Sequence, residues 1–208
     1  AMDNFGAVVG ILISIFFLQA LGFRNLFILA SVPSILAVIL IIIFIREPSR
    51  NKTLFKGMRF KDFDSNLRIL TILSGIFALG SFSYSFLIIF ANKYGFKNFE
   101  VPILYLVFTL VAAIVSIPAG RLADKIGRKK VLFLSYLFWT AVIVTFIFLK
   151  SYIGIILGFI FYGLHKGALE PVQKTLVAEL APSEYVASTI GAFQMLIGLV
   201  ALPASFLA

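Results

Sequence analysis

The sequence has no cysteine and a single histidine, and only 13% of its residues are charged. Without cysteine there is no disulfide framework and no thiolate metal site, and one histidine cannot form a histidine cluster, so we expect no metal. A soluble domain has about 45–50% apolar and about 25% charged residues. This chain is 61% hydrophobic, and its composition therefore indicates an integral membrane protein.

The sequence also lacks the features of an enzyme or a nucleotide-binding protein. It contains no GxxxxGK[ST] loop, and its apolar runs hold no paired carboxylates and no nucleophile beside a base. We therefore expect no enzyme activity and no cofactor. The net charge of +9 does not indicate a nucleic-acid partner, because the cations gather in the loops on one side of the predicted membrane helices.

Apolar runs of about 18 to 23 residues are long enough to cross a hydrocarbon core of about 30 Å as helices. Seven such runs occur, at residues 5–22, 26–45, 68–91, 100–120, 131–149, 152–172 and 186–207. Unpaired backbone groups cannot face lipid, and the runs lack the alternating polar positions of a membrane barrel. The sequence thus predicts an all-α fold in the lipid bilayer with about seven transmembrane helices.

Basic residues concentrate in alternate loops of this arrangement. Seven cations lie at 46–68, five at 120–130, and Lys174 lies in the loop after the sixth run. All three loops are on one side if the amino end is on that side too. By the positive-inside rule this side is cytoplasmic.

The turn between the fourth and fifth runs, GRLADKIGRKK, has the pattern G-x-x-x-D-[RK]-x-G-R-[RK]-[RK]. This pattern resembles the loop signature of the major facilitator superfamily. The matching residues are Gly120, Asp124, Lys125, Gly127, Arg128, Lys129 and Lys130. The resemblance implies a latch that steadies one state of a transport cycle, with Asp124 and Arg128 as its main residues. A generic basic turn that only fixes topology is the alternative.

Members of that family have twelve helices in two halves joined by a long cytoplasmic linker. The order of loops here resembles helices five to eleven, so we expect a fragment whose partners include the missing helices. The implied division is 1–45 for the end of the first half, 46–67 for the linker and 68–208 for the second half. Ile11, where the family often has proline, and Val186-Ala187, where it often has Arg-Gly, depart from the family pattern.

The resemblance implies secondary active transport of a small solute by alternating access, with a proton-coupled efflux permease as one form. A non-transporting receptor or assembly protein of the same fold is the alternative. The expected location is the cytoplasmic membrane of a bacterium or archaeon. A neutral or amphipathic solute, drug-like compounds included, is the default expectation, because the apolar runs do not indicate a charged one.

Polar residues within a membrane span often mark a cavity or pathway. The candidates for lining a substrate cavity are Ser81, Tyr84, Ser85, Tyr162 and Gln194. Serines that bond back to a carbonyl one turn earlier are the alternative in the third run, and hydrogen bonds between helices are the alternative for Tyr162 and Gln194.

The sixth run contains His165, Lys166 and Glu170, which are candidates for a gate or a proton-coupling site. Lys166 and Glu170 are four positions apart and are expected to pair on one helix face. His165 is expected to titrate near neutral pH. Because Pro171 follows Glu170, a helix end at the membrane boundary, with a simple salt bridge, is the alternative.

Small residues at a spacing of four allow helices to approach closely. One stripe comprises Gly6, Gly10 and Ser14, and another comprises Ala112, Ser116 and Gly120. We expect the first and fourth runs to pack together through these stripes, with Asp124 near the amino end of the first. The second and fifth runs are apolar on every face and are expected to lie outermost, against lipid.

Overall fold

The computed structural model describes residues 2–45, 60, 63–81, 83–96 and 100–207, and these form an all-helical chain. The helices are α1 (Met2–Phe44), α2 (Ser65–Leu79), α3 (Tyr84–Lys93), α4 (Val101–Ile126), α5 (Arg128–Phe148), α6 (Tyr152–Leu180) and α7 (Val186–Leu207). Five helical stretches in the described ranges are long and apolar enough to cross a membrane. The predicted all-α membrane fold is confirmed.

The chain divides into two compact units. The amino-terminal unit spans Val9–Gly57, and the helical unit combines Ala1–Val8 with Met58–Ala208. In the amino-terminal unit, Gly22 has φ 69° and ψ 169°, so it interrupts α1. The positive φ is one that glycine adopts at little cost. This interruption falls at the predicted boundary between the first two runs.

The helical unit is built around α6, which packs against α4 on one side and α5 on the other. α2 packs mainly against α7. One apolar cluster, which includes Ala123, Val131 and Val172, lies at the end that carries the α4–α5 turn. A second cluster, which includes Trp139 and Phe159, lies toward the other end. The helices are therefore held together by packing along their whole length.

The third predicted run, 68–91, is not one helix. α2 ends at Leu79 and α3 begins at Tyr84. The stretch Ser65–Lys93 is still one of the five candidate membrane spans, so the expected span is made of two helices in series. The indole Nε1 of Trp139 donates a hydrogen bond to the Gly80 carbonyl oxygen at 3.1 Å, and the Ser83 hydroxyl accepts one from the Ser85 amide at 3.4 Å. Such bonds matter because non-helical backbone at membrane depth is tolerated only where protein or a wet cavity surrounds it.

α6 does not end at Pro171. It continues to Leu180, so the expected helix end after Glu170 is wrong. A proline inside a membrane helix leaves a backbone group to be satisfied, and hydroxyl side chains often assist there. The carbonyl that Pro171 leaves without its amide partner is that of Gly167, one turn earlier. The Thr175 hydroxyl donates to the Pro171 carbonyl oxygen at 2.7 Å, which is a separate bond within the same helix. Consequently Lys166 and Glu170 lie in the middle of a long helix.

The small-residue stripe of α4 packs against α6. A Cβ on Gly167 would stand 2.7 Å from the Ala112 carbonyl oxygen, and one on Gly163 would stand 2.6 Å from the Phe108 carbonyl oxygen. Ala112 and Ser116 are both buried. At Gly6, by contrast, a Cβ would meet no described atom within 4 Å. Ala112 thus meets Gly167 of α6. Gly10 and Ser14 belong to the other unit, so the expected packing of the two stripes stays a prediction.

α5 buries one face and exposes the other. Ser135, Trp139 and Val142 are buried on the side that packs against α6, whereas Phe133 and Ile147 are exposed. The apolar sequence suggested no preferred side, and the buried Ser135, Trp139 and Thr145 mark it. The exposed face agrees with an outer position against lipid, but the helix is not lipid-facing all round.

Candidate functional site

A cavity of about 260 Å³ opens between helices of the helical unit. Residues of α1, α3, α4 and α6 surround it. The lining residues are Asn4, Ala7, Tyr84, Tyr105, Phe108, Thr109, Ala112, Tyr162, Lys166 and Glu170. Since Ala112 and Lys166 are each near the middle of a membrane-length helix, the cavity lies at mid-depth in the bundle.

Aromatic rings form one wall of the cavity. The ring centroids of Tyr84 and Tyr105 are 5.3 Å apart, and those of Phe108 and Tyr162 are 5.1 Å apart in an edge-to-face arrangement. Tyr84 starts α3, so the break after α2 brings it to this wall. The predicted cavity residues Tyr84 and Tyr162 thus come together through α4.

Lys166 and Glu170 supply opposite charges to the same cavity. The Lys166 ammonium lies 5.9 Å from the centroid of the Tyr162 ring, within cation–π range. The expected ion pair between Lys166 and Glu170 is not formed, because the ion pairs of the described residues are those of Arg128. The two residues do lie on one face of α6, as their spacing predicted, but they line the cavity without forming an ion pair with each other.

His165 does not line the cavity. Its side chain is buried near Phe77 and Trp139, and its Nδ1 lies 2.8 Å from the Ser135 carbonyl oxygen. Because a carbonyl oxygen only accepts hydrogen bonds, Nδ1 carries the hydrogen. The structure therefore separates His165 from Lys166 and Glu170, its predicted companions in a gate.

Three other predicted cavity residues lie elsewhere. The Ser81 hydroxyl donates to the Ala78 carbonyl oxygen at 3.3 Å, and Ser85 is exposed and bonds to Ser83. Gln194 is exposed on α7. None of the three is among the lining residues of this cavity. The bond of Ser81 agrees with the alternative, in which a serine bonds back to a carbonyl one turn earlier.

Asn4, Tyr105 and Thr109 line the cavity without having been predicted. Tyr105 and Thr109 are four positions apart on α4, and the Thr109 hydroxyl donates to the Tyr105 carbonyl oxygen at 2.7 Å. Ala112 continues the same face at the next turn. The sequence signal for Tyr105 and Thr109 is their spacing of four, which places two polar side chains on one face of an apolar helix.

A second polar group joins α2, α5 and α6 in the helical unit. The Gln173 amide donates to the Ser74 hydroxyl at 3.1 Å, and that hydroxyl lies 3.5 Å from the Tyr136 hydroxyl. The Tyr136 ring stacks on Phe77 with 3.9 Å between centroids. These residues do not line the cavity, and their contacts fix the position of α6 against its neighbours.

The signature turn is compact and carries a branched ion pair. Gly127 has φ 98° and is the single residue between the end of α4 at Ile126 and the start of α5 at Arg128. The Arg128 guanidinium contacts the Asp124 carboxylate at 3.3 Å and also pairs with Glu179 near the end of α6. The structure thus brings together Asp124 and Arg128, the two residues expected to have the main latch role, and adds Glu179, which the pattern did not indicate.

The remaining residues of the turn are solvent-facing. Lys125, Lys129 and Lys130 are exposed, and a Cβ on Gly120 would meet no described atom within 4 Å. Asp124 was expected to lie near the amino end of α1. Ala1 and the side chain of Asp3, which this contact involves, lie outside the described residues, so the expectation stays a prediction. Asp124 itself pairs with Arg128.

Comparisons with known proteins agree with this architecture. The Major Facilitator Superfamily matches residues 1–205. The uncharacterized MFS-type transporter MJ1317 of Methanocaldococcus jannaschii is 34% identical over 219 aligned positions, which cover 100% of this chain and 54% of that protein. The uncharacterized MFS-type transporter MJ1560 of the same archaeon is 25% identical over 137 positions, covering 65% of this chain and 36% of that protein.

No solved structure matches the chain significantly. The chain spans about half the length of the first of these relatives and about a third of the second. The family match nevertheless covers nearly every residue, including the signature turn and all the helices around the cavity. The chain therefore belongs to the major facilitator superfamily.

Proposed function

We propose that this chain is part of a secondary active transporter that moves a small solute by alternating access. The observation that carries the proposal is the mid-depth cavity, where Lys166 and Glu170 share one wall with tyrosines in an otherwise apolar bundle. Charged residues inside membrane spans typically face a pathway for solutes or ions. Transporters bind their substrates near the midplane and expose them to each side in turn.

The proposal assigns the parts of the chain as follows. Residues 1–45 end the first half of the transporter, 46–67 link the halves, and 68–208 supply the second half. The missing helices complete the cavity wall. The Arg128 contacts with Asp124 and Glu179 support a latch role, because they tie the α4–α5 turn to α6 at one end of the bundle. The protein works in the cytoplasmic membrane, with the signature turn on the cytoplasmic side.

The proposal includes coupling to protons and export as the direction of transport. Glu170 supports coupling, because a carboxylate on the cavity wall can take up a proton on one side and release it on the other. His165 is less suited to this step, since its ring is buried away from the cavity. We therefore assign the proton to Glu170.

Transport is tested with the full-length protein in proteoliposomes. A panel of radiolabelled L-amino acids, a neutral sugar and the cationic dye ethidium is offered with and without an imposed pH gradient. We expect protein-dependent movement of at least one compound, faster with the gradient. Glu170→Gln should abolish the effect of the gradient at saturating solute, while Glu184→Gln, outside the cavity, should keep it.

The alternative is a receptor or assembly protein of the same fold. It predicts binding without flux, so a compound that stabilises the purified protein but never crosses the proteoliposome membrane would favour it. Gradient-dependent movement that survives Glu170→Gln would instead keep the transporter and overturn the assignment of the proton.

A further inference from the structure

Lys166 and Glu170 place opposite charges one helical turn apart on the cavity wall. In the described part of the chain, neither forms an ion pair with the other or with another residue. Charged groups within a membrane span are costly unless they have partners. The spacing of the two residues allows a direct pair, yet the structure keeps them apart. Among the described residues, no countercharge therefore competes with a bound molecule for either charge.

We infer that the cavity binds a small zwitterion, a solute that carries one carboxylate and one ammonium group. The Lys166 ammonium donates hydrogen bonds to the carboxylate, and the Glu170 carboxylate accepts them from the ammonium. This inference rests on the proposed function, since it names the solute class for the same cavity. It replaces the expectation of a neutral or amphipathic solute.

Solutes with other charges fit the wall less well. An anion would neutralise Lys166 but would lie beside the Glu170 carboxylate and be repelled by it. A cation would have the opposite problem. A neutral apolar solute would displace water from both charges without replacing its hydrogen bonds, and a neutral polar solute would form hydrogen bonds but compensate neither charge. Only a solute with both charges compensates Lys166 and Glu170 together.

The tyrosines favour the same class. The Tyr162 ring already lies beside the Lys166 ammonium, with 5.9 Å from Nζ to the ring centroid. Tyr84 and Tyr105 offer further ring faces on the same wall, and ring faces attract ammonium groups. Their hydroxyl groups can also donate to a carboxylate. The cavity thus has recognition groups for each end of a zwitterion.

The experiment compares charge forms of one molecule on the purified full-length protein. Binding of the twenty common L-amino acids is screened by thermal shift, and the tightest binder is taken further. Its N-acetyl derivative keeps only the carboxylate, its methyl ester keeps only the ammonium, and its N-acetyl methyl ester has neither. We expect the free amino acid to bind about tenfold or more tightly than each derivative, as for the loss of one charge-assisted hydrogen bond.

Two variants then assign each charge to its partner. Lys166→Met should bind the methyl ester as tightly as the free amino acid, because the carboxylate no longer has a partner. Glu170→Gln should bind the N-acetyl derivative as tightly as the free amino acid. Lys174→Met and Glu184→Gln are matched controls outside the cavity and should keep the full preference. Melting temperatures without ligand show whether each variant is folded.

The inference is overturned if no amino acid binds, if a derivative with one charge binds as tightly to the wild type, or if both cavity variants keep the full preference. The wild-type comparison alone decides the solute class if a variant fails to fold. Transport of solutes without preference for zwitterions would overturn this inference and leave the proposed function standing. Zwitterion binding with the expected variant pattern but without flux would support this inference and overturn the proposed transport function.

Discussion

Gly167 of α6 and Ala112 of α4 meet backbone to backbone, so that a Cβ on Gly167 would stand 2.7 Å from the Ala112 carbonyl oxygen. Backbone atoms cannot move aside as a flexible side chain can. The contact holds the two helices that carry most of the cavity wall at a fixed separation. The size of residue 167 therefore controls both packing and the geometry of the cavity.

We predict that Gly167→Ala destabilises the protein by about 1–3 kcal/mol, the usual cost of overpacking. Thermal unfolding in detergent measures the change. The control is Gly191→Ala on α7, where an added Cβ meets no described atom within 4 Å. That variant should be neutral or stabilising, because alanine favours a helix over glycine by about 1 kcal/mol. Equal effects of the two substitutions would contradict the packing argument.

The branched ion pair of Arg128 predicts an order of effects. Arg128→Gln breaks the contacts with both Asp124 and Glu179, whereas Asp124→Asn weakens only the contact within the turn. These groups are partly exposed, so each contact is worth about 0.2–1 kcal/mol, or about a 1.5- to 5-fold change in a conformational equilibrium. We expect both variants to shift the full-length protein toward the inward-open state, Arg128→Gln more strongly.

The shift is measured by labelling Ala7→Cys on the cavity wall with a membrane-impermeant maleimide from each side. This chain contributes no cysteine to the background. Lys129→Gln removes a neighbouring exposed cation and serves as the control. A larger shift with Lys129→Gln than with Arg128→Gln would show that the charge of the turn, and not its specific contacts, controls the equilibrium.

Trp139→Phe tests the break between α2 and α3. The substitution keeps an aromatic ring but removes the indole N–H that bonds to the Gly80 carbonyl oxygen. Gly80 is exposed, so the expected cost is that of one lost hydrogen bond, about 0.5–1.5 kcal/mol. We expect a lower melting temperature, whereas Phe133→Leu on the exposed face of the same helix should change it little. A Trp139→Phe protein as stable as wild type would mean that water or another donor satisfies Gly80.

The bond between Gln173 and Ser74 predicts energetic coupling between α6 and α2. A double-mutant cycle with Gln173→Ala and Ser74→Ala isolates the interaction from the cost of each substitution. Hydrogen bonds between membrane helices average about 0.6 kcal/mol and reach about 1.7 kcal/mol, so we expect coupling within that range. Strictly additive effects on unfolding would exclude a contribution of this bond to stability.

The sequence predicted the features that depend on composition. The apolar runs located the membrane helices, and the pattern from Gly120 to Lys130 located the signature turn. Hydropathy did not show the break between Leu79 and Tyr84, because the residues around it are polar without being charged. It also could not show that α6 passes through Pro171, since neighbouring groups decide whether a membrane helix tolerates proline.

The cavity was predicted in part. Tyr84, Tyr162, Lys166 and Glu170 were found as polar residues within apolar runs, but their companions depended on which helix faces which. Gly163 and Gly167 set that arrangement by fitting α6 against α4, and a spacing rule alone cannot tell which of several small-residue stripes are partners. His165 illustrates the same limit, because its position one residue before Lys166 turns it toward α5.

The interruption after Leu79 also bears on how the protein enters the membrane. Fifteen residues of α2 and ten of α3 make helices about 22 Å and about 15 Å long, and neither alone crosses a hydrocarbon core of about 30 Å. The two helices therefore have to enter the membrane together, as one segment from Ser65 to Lys93.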